Sequence, residues 1–386
     1  MIRVPVRLRR TLDESYEIRI GRGLATRLSV DLRKRFAGRP LIIITDSDLL
    51  SRYGIPMKAN LRRRGMSVEL ISLPAGEASK SRRVRDQIED AVIALGAGRD
   101  AVLLALGGGV VGDLVGFVAA TFNRGIPYVQ VPTTLVGMVD SAVGGKTGIN
   151  HPAGKNLIGA FHQPAAVYID VDYLKTLPAR QFVSGMAEVV KYGVIADHDL
   201  FERLDRHAAR ILNREPEILS RTIEACCDIK ARVVMADPHE SNRRQILNFG
   251  HTIGHALETL TRYRLTHGEA VAIGMVAEAR LAGRAGLLSA AAAGRIAALL
   301  EHLGLPTGLP AGIEIPAILG VAHRDKKARG GRIGYALPVR IGAMANIAGR
   351  YGIPVDDALA VEVLGEMKRA TLPPKPRSAG RARTAH

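Results

Sequence analysis

The stretch Ala101-Val102-Leu103-Leu104-Ala105-Leu106-Gly107-Gly108-Gly109-Val110-Val111-Gly112-Asp113 decides the fold. Its unbroken apolar half predicts a strand buried on both faces, and its glycines precede an apolar helix predicted over 114–120. Glycines spaced G-x-G-x-x-G after a strand let backbone amides approach a pyrophosphate at a helix N-terminus. The stretch therefore predicts a parallel sheet with a nucleotide site at the end of one strand.

Strands and helices alternate on both sides of this stretch. Further strands are predicted at 3–7, 16–20, 41–45, 68–73, 127–132 and 167–169, and helices at 24–35, 49–64 and 82–95. Such alternation is typical of a parallel sheet whose two faces are covered by helices. Residues 124–164 are rich in glycine and polar groups and are predicted to form a long functional loop.

The second half of the chain has a different pattern. Helices are predicted at 185–194, 199–213, 215–234, 252–260, 269–281 and 290–302, with a small loop at 325–327 and a strand at 332–338. We therefore predict an α/β N-terminal nucleotide-binding domain with a parallel sheet (1–175) and a mostly α-helical C-terminal domain (176–367) that binds metal and substrate. Residues 368–386 are predicted to be a basic, disordered tail.

Composition excludes several classes of function. The formal charge of +17 favours an acidic ligand, but the aromatic content of 4% and the absence of tryptophan disfavour nucleic-acid binding. No apolar run is long enough for a membrane span, and residues 1–10 lack the apolar core of a signal peptide. The cysteines, Cys226 and Cys227, are adjacent and are expected to be reduced. We expect a cytoplasmic enzyme that binds neither nucleic acid nor membrane.

The nucleotide motif is incomplete in its usual form. No acidic residue ends the following strand at 127–132, so Asp46 and Glu77 are the candidates for binding ribose hydroxyls. Gly145-Lys146-Thr147 resembles a phosphate loop, but that motif requires glycine where Asp140 stands, which disfavours a triphosphatase. NAD is the expected nucleotide.

Three histidines lie close together in the sequence of the helical half. His251 and His255 are one helical turn apart, and His267 opens the next predicted helix. Imidazoles at positions i and i+4 often begin a zinc site, although the glutamate of the metalloprotease motif is absent. A buried acid, Glu188, is a candidate to complete the site, and it shares a helix face with Lys191. Spacing alone pairs His251 with His255 as ligands.

Together these motifs resemble those of the 3-dehydroquinate synthase family, within the sugar phosphate cyclases. The matching positions are Asp46 and residues 76–80, 107–113, 139–151, 154–161, 187–193, 247–252, 267–271 and 325–327. The resemblance implies that Glu188, His251 and His267 bind a divalent metal, zinc or alternatively cobalt, and that His255 contacts substrate instead. This differs from the pairing of His251 with His255.

The resemblance also implies the other site residues. Positions that match contacts to NAD are Asp46, Glu77, Lys80, Gly108, Gly109, Asp113, Thr133, Thr134, Lys146, Lys155, Thr176, Leu177 and Gln181. Positions that match contacts to a small acidic phosphorylated substrate are Asp140, Lys146, Asn156, Lys191, Lys230, Arg244, Asn248, His255 and Lys326. Arg124 matches an arginine that enters the partner's site, which implies a homodimer.

The implied reaction converts 3-deoxy-D-arabino-heptulosonate 7-phosphate to 3-dehydroquinate and phosphate in the shikimate pathway. Two alternatives remain at this point. One is a sister cyclase that acts on sedoheptulose 7-phosphate or glucose 6-phosphate, which lack the carboxylate. The other is a metal-dependent polyol dehydrogenase with net production of NADH.

Overall fold

The structure of the protein, a computed structural model, describes residues 13–152, 154–324, 328–329 and 332–371. The strand predicted at 3–7, the predicted loop at 325–327 and the tail beyond 371 lie outside these residues. The chain divides into two compact units, one within 1–189 and 209–238 and the other within 190–208 and 239–386. The domain boundaries at 175 and 367 stay predictions.

A parallel sheet organises the first unit. Its strands and the hairpin beside it are β1 (Ile18–Gly21), β2 (Leu41–Asp46), β3 (Val68–Leu73), β4 (Val102–Gly107), β5 (Tyr128–Pro132), β6 (Lys146–His151), β7 (Gly154–Phe161) and β8 (Ala166–Asp170). Among the described residues, six of these strands form one sheet in the order β1-β8-β5-β4-β2-β3, and every neighbouring pair is parallel. The predicted α/β fold class with a parallel sheet is confirmed.

The helices up to residue 121 lie between strands, and those between residues 179 and 236 follow one another, as predicted. They are α1 (Ala25–Arg35), α2 (Ser47–Leu49), α3 (Ile55–Arg63), α4 (Arg82–Ala94), α5 (Gly109–Thr121), α6 (Ala179–Ala196), α7 (His198–Leu212) and α8 (Pro216–Ala236). Side chains of β2 alternate, so that Leu41 and Ile43 pack with α1 and α3 while Ile42 and Ile44 pack with α4 and α5. Apolar layers therefore cover both faces of the sheet.

Helix α5 begins at Gly109, five residues before the predicted start at 114. Glycine has a low helix propensity, so the sequence pattern predicted too late a start for this helix. Its helical glycines are required by packing: a Cβ at Gly112 would lie 2.5 Å from Gln130 Oε1, and one at Gly116 would lie 2.4 Å from Thr147 Cγ2. The glycine stretch therefore both opens the helix and lets it approach its neighbours.

The predicted loop at 124–164 contains regular structure. A short π-helical turn covers Gly137–Ser141, and β6 pairs with β7 as an antiparallel hairpin. Gly148 and Gly159 face each other in this hairpin, and a Cβ at Gly159 would lie 2.1 Å from the carbonyl oxygen of Thr147. Glycine-rich strands resemble loops in the sequence, because they have few of the β-branched residues typical of strands.

The second unit is mostly helical, as predicted. Its further helices are α9 (His251–Leu260), α10 (His267–Arg284), α11 (Ala290–His302), α12 (Ile315–Arg324) and α13 (Asp357–Thr371), of which α12 and α13 were not predicted. Its short strands are β9 (Ala328–Arg329), β10 (Arg332–Ala336), β11 (Pro338–Arg340), β12 (Ala343–Met344) and β13 (Gly352–Val355). No helix in the described ranges combines the length and the apolar character that a membrane span requires.

Candidate active site

The glycine turn after β4 forms the start of α5, with Gly108 at the N-cap position. Thr134 lies against it, because a Cβ at Gly108 would be 2.9 Å from Thr134 Cγ2. The amide of Thr133 donates to the carbonyl of Gly107 at 2.9 Å, which joins the ends of β4 and β5. The structure therefore brings Gly108, Gly109, Thr133 and Thr134 together at the carboxyl edge of the sheet.

Lys80 is the centre of a polar cluster beside this turn. Its buried ammonium group donates to Asp113 Oδ2 and, at 2.5 Å, to Asn156 Oδ1. Burial raises the pKa of the Asp113 carboxyl group, and the charge of Lys80 acts in the opposite direction. The Lys80 ammonium group therefore connects Asp113 on α5 to Asn156 in the β6–β7 hairpin.

Glu77 and Asp46 lie on two other segments at this edge. Glu77 Oε1 accepts a hydrogen bond from Asn150 Nδ2 at 2.7 Å and lies 3.9 Å from Lys155 Nζ. Asp46 ends β2 and accepts from the amides of Asp48 and Leu49 at 3.0 and 3.1 Å. Burial raises the pKa of the Asp46 carboxyl group, whereas its hydrogen bonds from the backbone act to lower that pKa.

Asp140 and Lys230 form an ion pair in the first unit, in which Lys230 is buried and Asp140 is partly buried. The ammonium group of Lys230 on α8 donates to Asp140 Oδ1 at 2.6 Å and to the Asp140 carbonyl oxygen at 2.5 Å. Each contact joins residues that are 90 positions apart in the sequence. Lys230 is therefore held by an acid in this structure, and any ligand carboxylate it binds must share the ammonium group with Asp140.

The three histidines cluster in the second unit. The ring centroid of His251 lies 5.2 Å from that of His255 and 5.3 Å from that of His267. His251 Nδ1 is 3.1 Å from the carbonyl oxygen of Phe249. A carbonyl only accepts, so Nδ1 carries the proton and Nε2 keeps its lone pair for a metal.

A carboxylate lies close to the Nδ1 atom of His267. Glu258 Oε2 lies 3.5 Å from His267 Nδ1, and Glu258 is buried. His255, Glu258 and His267 also offer ligand atoms that lie within 4.8 Å of one another. The second unit thus supplies the nitrogen and oxygen donors that suit zinc, with two possible roles for Glu258.

The other predicted site residues occupy different elements. In the first unit, the remaining positions are Arg124 in a 3-10 turn, Lys146 on β6, Lys155 on β7, Thr176 and Leu177 before α6, and Gln181 and Glu188 on α6. In the second unit they are Lys191 on α6, and Arg244 and Asn248 in the 3-10 helix Arg243–Asn248. Glu188, Lys191 and Arg244 are buried. Lys326 lies outside the described residues.

Sequence reasoning missed four polar residues that contact predicted site residues or the backbone next to one of them. Asn150 bonds Glu77 and, through its side-chain oxygen, the amide of Asn156 at 3.0 Å. Glu240 accepts from Asn248 Nδ2 at 3.4 Å. Glu258 was detectable, since it lies three residues after His255 on one helix face. Glu278, which contacts the start of α9, carried no sequence signal.

The chain matches two family models over most of its length. The 3-dehydroquinate synthase N-terminal model covers residues 70–184, and the 3-dehydroquinate synthase C-terminal model covers 185–328. A 3-dehydroquinate synthase of Geobacter metallireducens is 50% identical over 334 residues, 86% of this chain and 92% of the relative. One from a Synechococcus species is 47% identical over 348 residues, 88% of this chain and 93% of the relative.

Solved structures share the architecture. A 2-epi-5-epi-valiolone synthase of Streptomyces hygroscopicus, with NAD⁺ and Zn²⁺ bound, has a TM-score of 0.86 and 30% identity and covers 94% of this chain and 99% of its own. A 2-deoxy-scyllo-inosose synthase complexed with carbaglucose-6-phosphate, NAD⁺ and Co²⁺ has a TM-score of 0.81 and 28% identity, covering 91% of this chain and 96% of its own. A maleylacetate reductase of Agrobacterium tumefaciens, 15% identical over 95% of this chain and 100% of its own, shares the fold at a TM-score of 0.66.

Fold and sequence together place the chain among the sugar phosphate cyclases, which are enzymes. Within that group, both family models and the curated relatives agree on one member. The chain belongs to the 3-dehydroquinate synthase family.

Proposed function

We propose that this enzyme converts 3-deoxy-D-arabino-heptulosonate 7-phosphate to 3-dehydroquinate and phosphate in the shikimate pathway. The observation that carries the proposal is the 50% identity to a 3-dehydroquinate synthase over 334 residues. It exceeds the 30% and 28% identity to the two sister cyclases. The substrate carries both a phosphate and a carboxylate, which matches a site with many cationic side chains.

NAD is the proposed nucleotide, and the glycine turn fits it. Thr134 leaves no room for a Cβ at Gly108, so the backbone is free of side chain where a pyrophosphate would meet the first amides of α5. The residues proposed to hold NAD are Asp46, Glu77, Lys80, Gly108, Gly109, Asp113, Thr133, Thr134, Lys146, Lys155, Thr176, Leu177 and Gln181. Bound NAD supplies a hydride acceptor that later returns the hydride.

A divalent metal, zinc or cobalt, is proposed at Glu188, His251 and His267. Two imidazoles 5.3 Å apart, one with Nδ1 fixed by a carbonyl and the other facing a carboxylate, fit the donor set of a catalytic zinc. The metal would lower the pKa of a substrate hydroxyl group. His255 is proposed to contact substrate, together with Asp140, Asn156, Lys191 and Asn248.

The cationic side chains are proposed to orient the two ends of the substrate. Lys146, Lys326 and Arg124 hold the phosphate, and Lys230 and Arg244 hold the carboxylate. Oxidation at C5 acidifies the C6–H bond, so phosphate can leave, with a phosphate oxygen accepting the proton. After reduction at C5 the ring opens, and an internal aldol addition closes the carbocycle. The protein's contribution is to fix a flexible, charged substrate in a site preorganised for each step.

One assay tests the proposal. Purified protein is incubated with 3-deoxy-D-arabino-heptulosonate 7-phosphate, NAD and zinc, and both phosphate release and 3-dehydroquinate are measured. Equal molar yields of the two products support the proposal. Absence of 3-dehydroquinate, with turnover of sedoheptulose 7-phosphate or glucose 6-phosphate instead, would assign the enzyme to a sister cyclase.

A catalytic amount of NAD is expected to support complete turnover without net NADH. In the proposed reaction the hydride leaves C5 and returns to it, so the cofactor is regenerated in each cycle. The measurement is absorbance of NADH during full conversion with substrate in large excess over NAD. NADH that grows in proportion to product would favour a polyol dehydrogenase.

We also propose that the protein is a homodimer in which Arg124 enters the partner's site. Arg124 is exposed on a 3-10 turn with φ of 67°. Leu157 and Phe161, two positions of one strand face on β7, expose 44% and 47% of their surface, which gives the same unit apolar area for a partner. A cytoplasmic location is proposed as well, because Cys226 and Cys227 are adjacent, buried thiols.

Coexpressed Arg124→Ala and Arg244→Ala subunits are expected to complement each other. Each variant alone is expected to be nearly inactive. In a hybrid dimer, the Arg124→Ala subunit keeps Arg244 and receives Arg124 from its partner, so one site is complete. Random pairing gives about one quarter of wild-type activity. Activity that does not exceed the sum of the separate variants would place Arg124 outside the partner's site.

A further inference from the structure

Glu278 is a buried carboxylate of α10 with a specific relation to the histidine helix. Its side chain is 0% exposed. One oxygen accepts from the amide of Gly250 at 2.7 Å, and the other accepts from the amide of Thr252 at 3.2 Å. Those two residues stand on either side of His251 in the sequence. The carboxylate therefore accepts hydrogen bonds from the backbone on both sides of one proposed metal ligand.

Glycines bring the two helices close enough for this contact. Gly250 has φ of 80°, in the left-handed region, and a Cβ there would lie 2.5 Å from Met275 Cγ. A Cβ at Gly274 would lie 1.9 Å from the carbonyl oxygen of Gly250. Neither position tolerates a side chain, so the start of α9 can pack against α10 in only one alignment. Glu278 lies one helical turn after Gly274 on α10.

We propose that Glu278 is a positioning residue that fixes the His251 imidazole for the metal, a role that rests on the proposed function. A carboxylate that accepts two amides at a helix N-terminus satisfies donors that the helix leaves unpaired, and its charge opposes the helix dipole. The same contact holds Phe249, whose carbonyl accepts from His251 Nδ1, next to an immobile Gly250. Backbone and ring are thus fixed before metal binds.

The alternative is a helix cap that contributes stability alone. The two roles differ in what they predict for metal affinity. A cap that acts only on stability lowers the free energy of unfolding and leaves the metal dissociation constant of the folded protein unchanged. A positioning residue weakens metal binding in protein that is still folded, as other outer carboxylates of metal sites do by about 10–100-fold.

Glu278→Gln is the informative variant because it keeps the shape of the side chain. Glutamine can accept from one amide, but its NH₂ group would then face the other amide, and two donors repel. We expect its zinc dissociation constant, measured by competition with a chelator on purified folded protein, to rise by about 10–100-fold. Ser289→Ala, which removes the side-chain cap of α11 in the same unit, is the matched control and should leave zinc affinity unchanged.

Three results of the zinc-binding experiments overturn the proposal. Unchanged zinc affinity in folded Glu278→Gln makes Glu278 a structural cap and leaves the proposed function intact. Equal loss in Ser289→Ala makes the effect a general consequence of destabilisation. Wild-type protein that binds no zinc and makes no 3-dehydroquinate removes both the proposed function and this role.

Hydrogen exchange of the wild-type protein gives a test that does not depend on the variant's folding. If Glu278 preorganises the site, the amides of Gly250 and Thr252 are protected in metal-free protein, and zinc adds little protection. Protection of these amides that appears only with zinc would show that the metal, and not Glu278, orders the start of α9.

Discussion

His267→Ala is expected to lose its divalent metal on dialysis and to fall on the order of a thousand-fold in kcat, whereas His255→Ala should keep the metal. The metal's effect on a substrate hydroxyl group is worth several kcal/mol, and a three-residue protein site has no spare ligand. His267 faces the buried Glu258 through Nδ1, which leaves Nε2 for the metal. His255 is expected to lose activity through substrate contact alone.

The measurement is metal content per subunit after dialysis against a weak chelator, with folding checked by circular dichroism. His302→Ala, at the end of α11, is the control for removal of a histidine from the same unit. Equal metal loss in His255→Ala and His267→Ala would instead favour the set of His255, Glu258 and His267, whose donor atoms are also close together. In that case Glu258→Gln should lose the metal completely instead of binding it more weakly.

The parts of the fold that depend on local pattern could be predicted from the sequence. The strands β3 and β4 were placed within one residue, because long apolar runs between turn residues leave little choice. The start of α5 and the β6–β7 hairpin were misjudged, since glycines there serve close packing, which a propensity scale counts against regular structure. Local pattern is informative only where packing agrees with it.

The sequence proposed the candidate site as a set of residues, but it could not predict the contacts among them. Family motifs selected Lys80, Asp113 and Asn156, yet the sequence did not show that one ammonium group joins the two oxygens across 33 and 76 positions. Glu278 was undetectable because it lies inside an apolar helix and acts on backbone atoms 26 and 28 positions away. Long-range pairing of buried charges is a property of packing, which composition does not record.

The second large effect concerns the choice of substrate. Wild-type protein is expected to prefer 3-deoxy-D-arabino-heptulosonate 7-phosphate strongly over sedoheptulose 7-phosphate, which lacks the carboxylate. Arg244 is 1% exposed, just before the helix of His251, and a guanidinium group binds a carboxylate through two parallel hydrogen bonds. Loss of such a contact costs about 2–4 kcal/mol, or roughly thirty- to a thousand-fold in kcat/KM.

Arg244→Ala should therefore lose most of this preference, and the loss should come from slower reaction of the heptulosonate. The experiment compares kcat/KM for the two substrates in wild type, Arg244→Ala and Arg243→Ala, where Arg243 is the adjacent, exposed arginine. Arg243→Ala should keep the wild-type ratio, because an exposed charge is screened by water and salt. A variant slowed equally on both substrates would show that Arg244 supports the site without recognising the carboxylate.

Wild-type protein that turns over sedoheptulose 7-phosphate faster would contradict the assignment to dehydroquinate synthesis. NAD and the metal would keep their proposed roles in that case, since both sister cyclases were solved with NAD⁺ and a divalent metal bound.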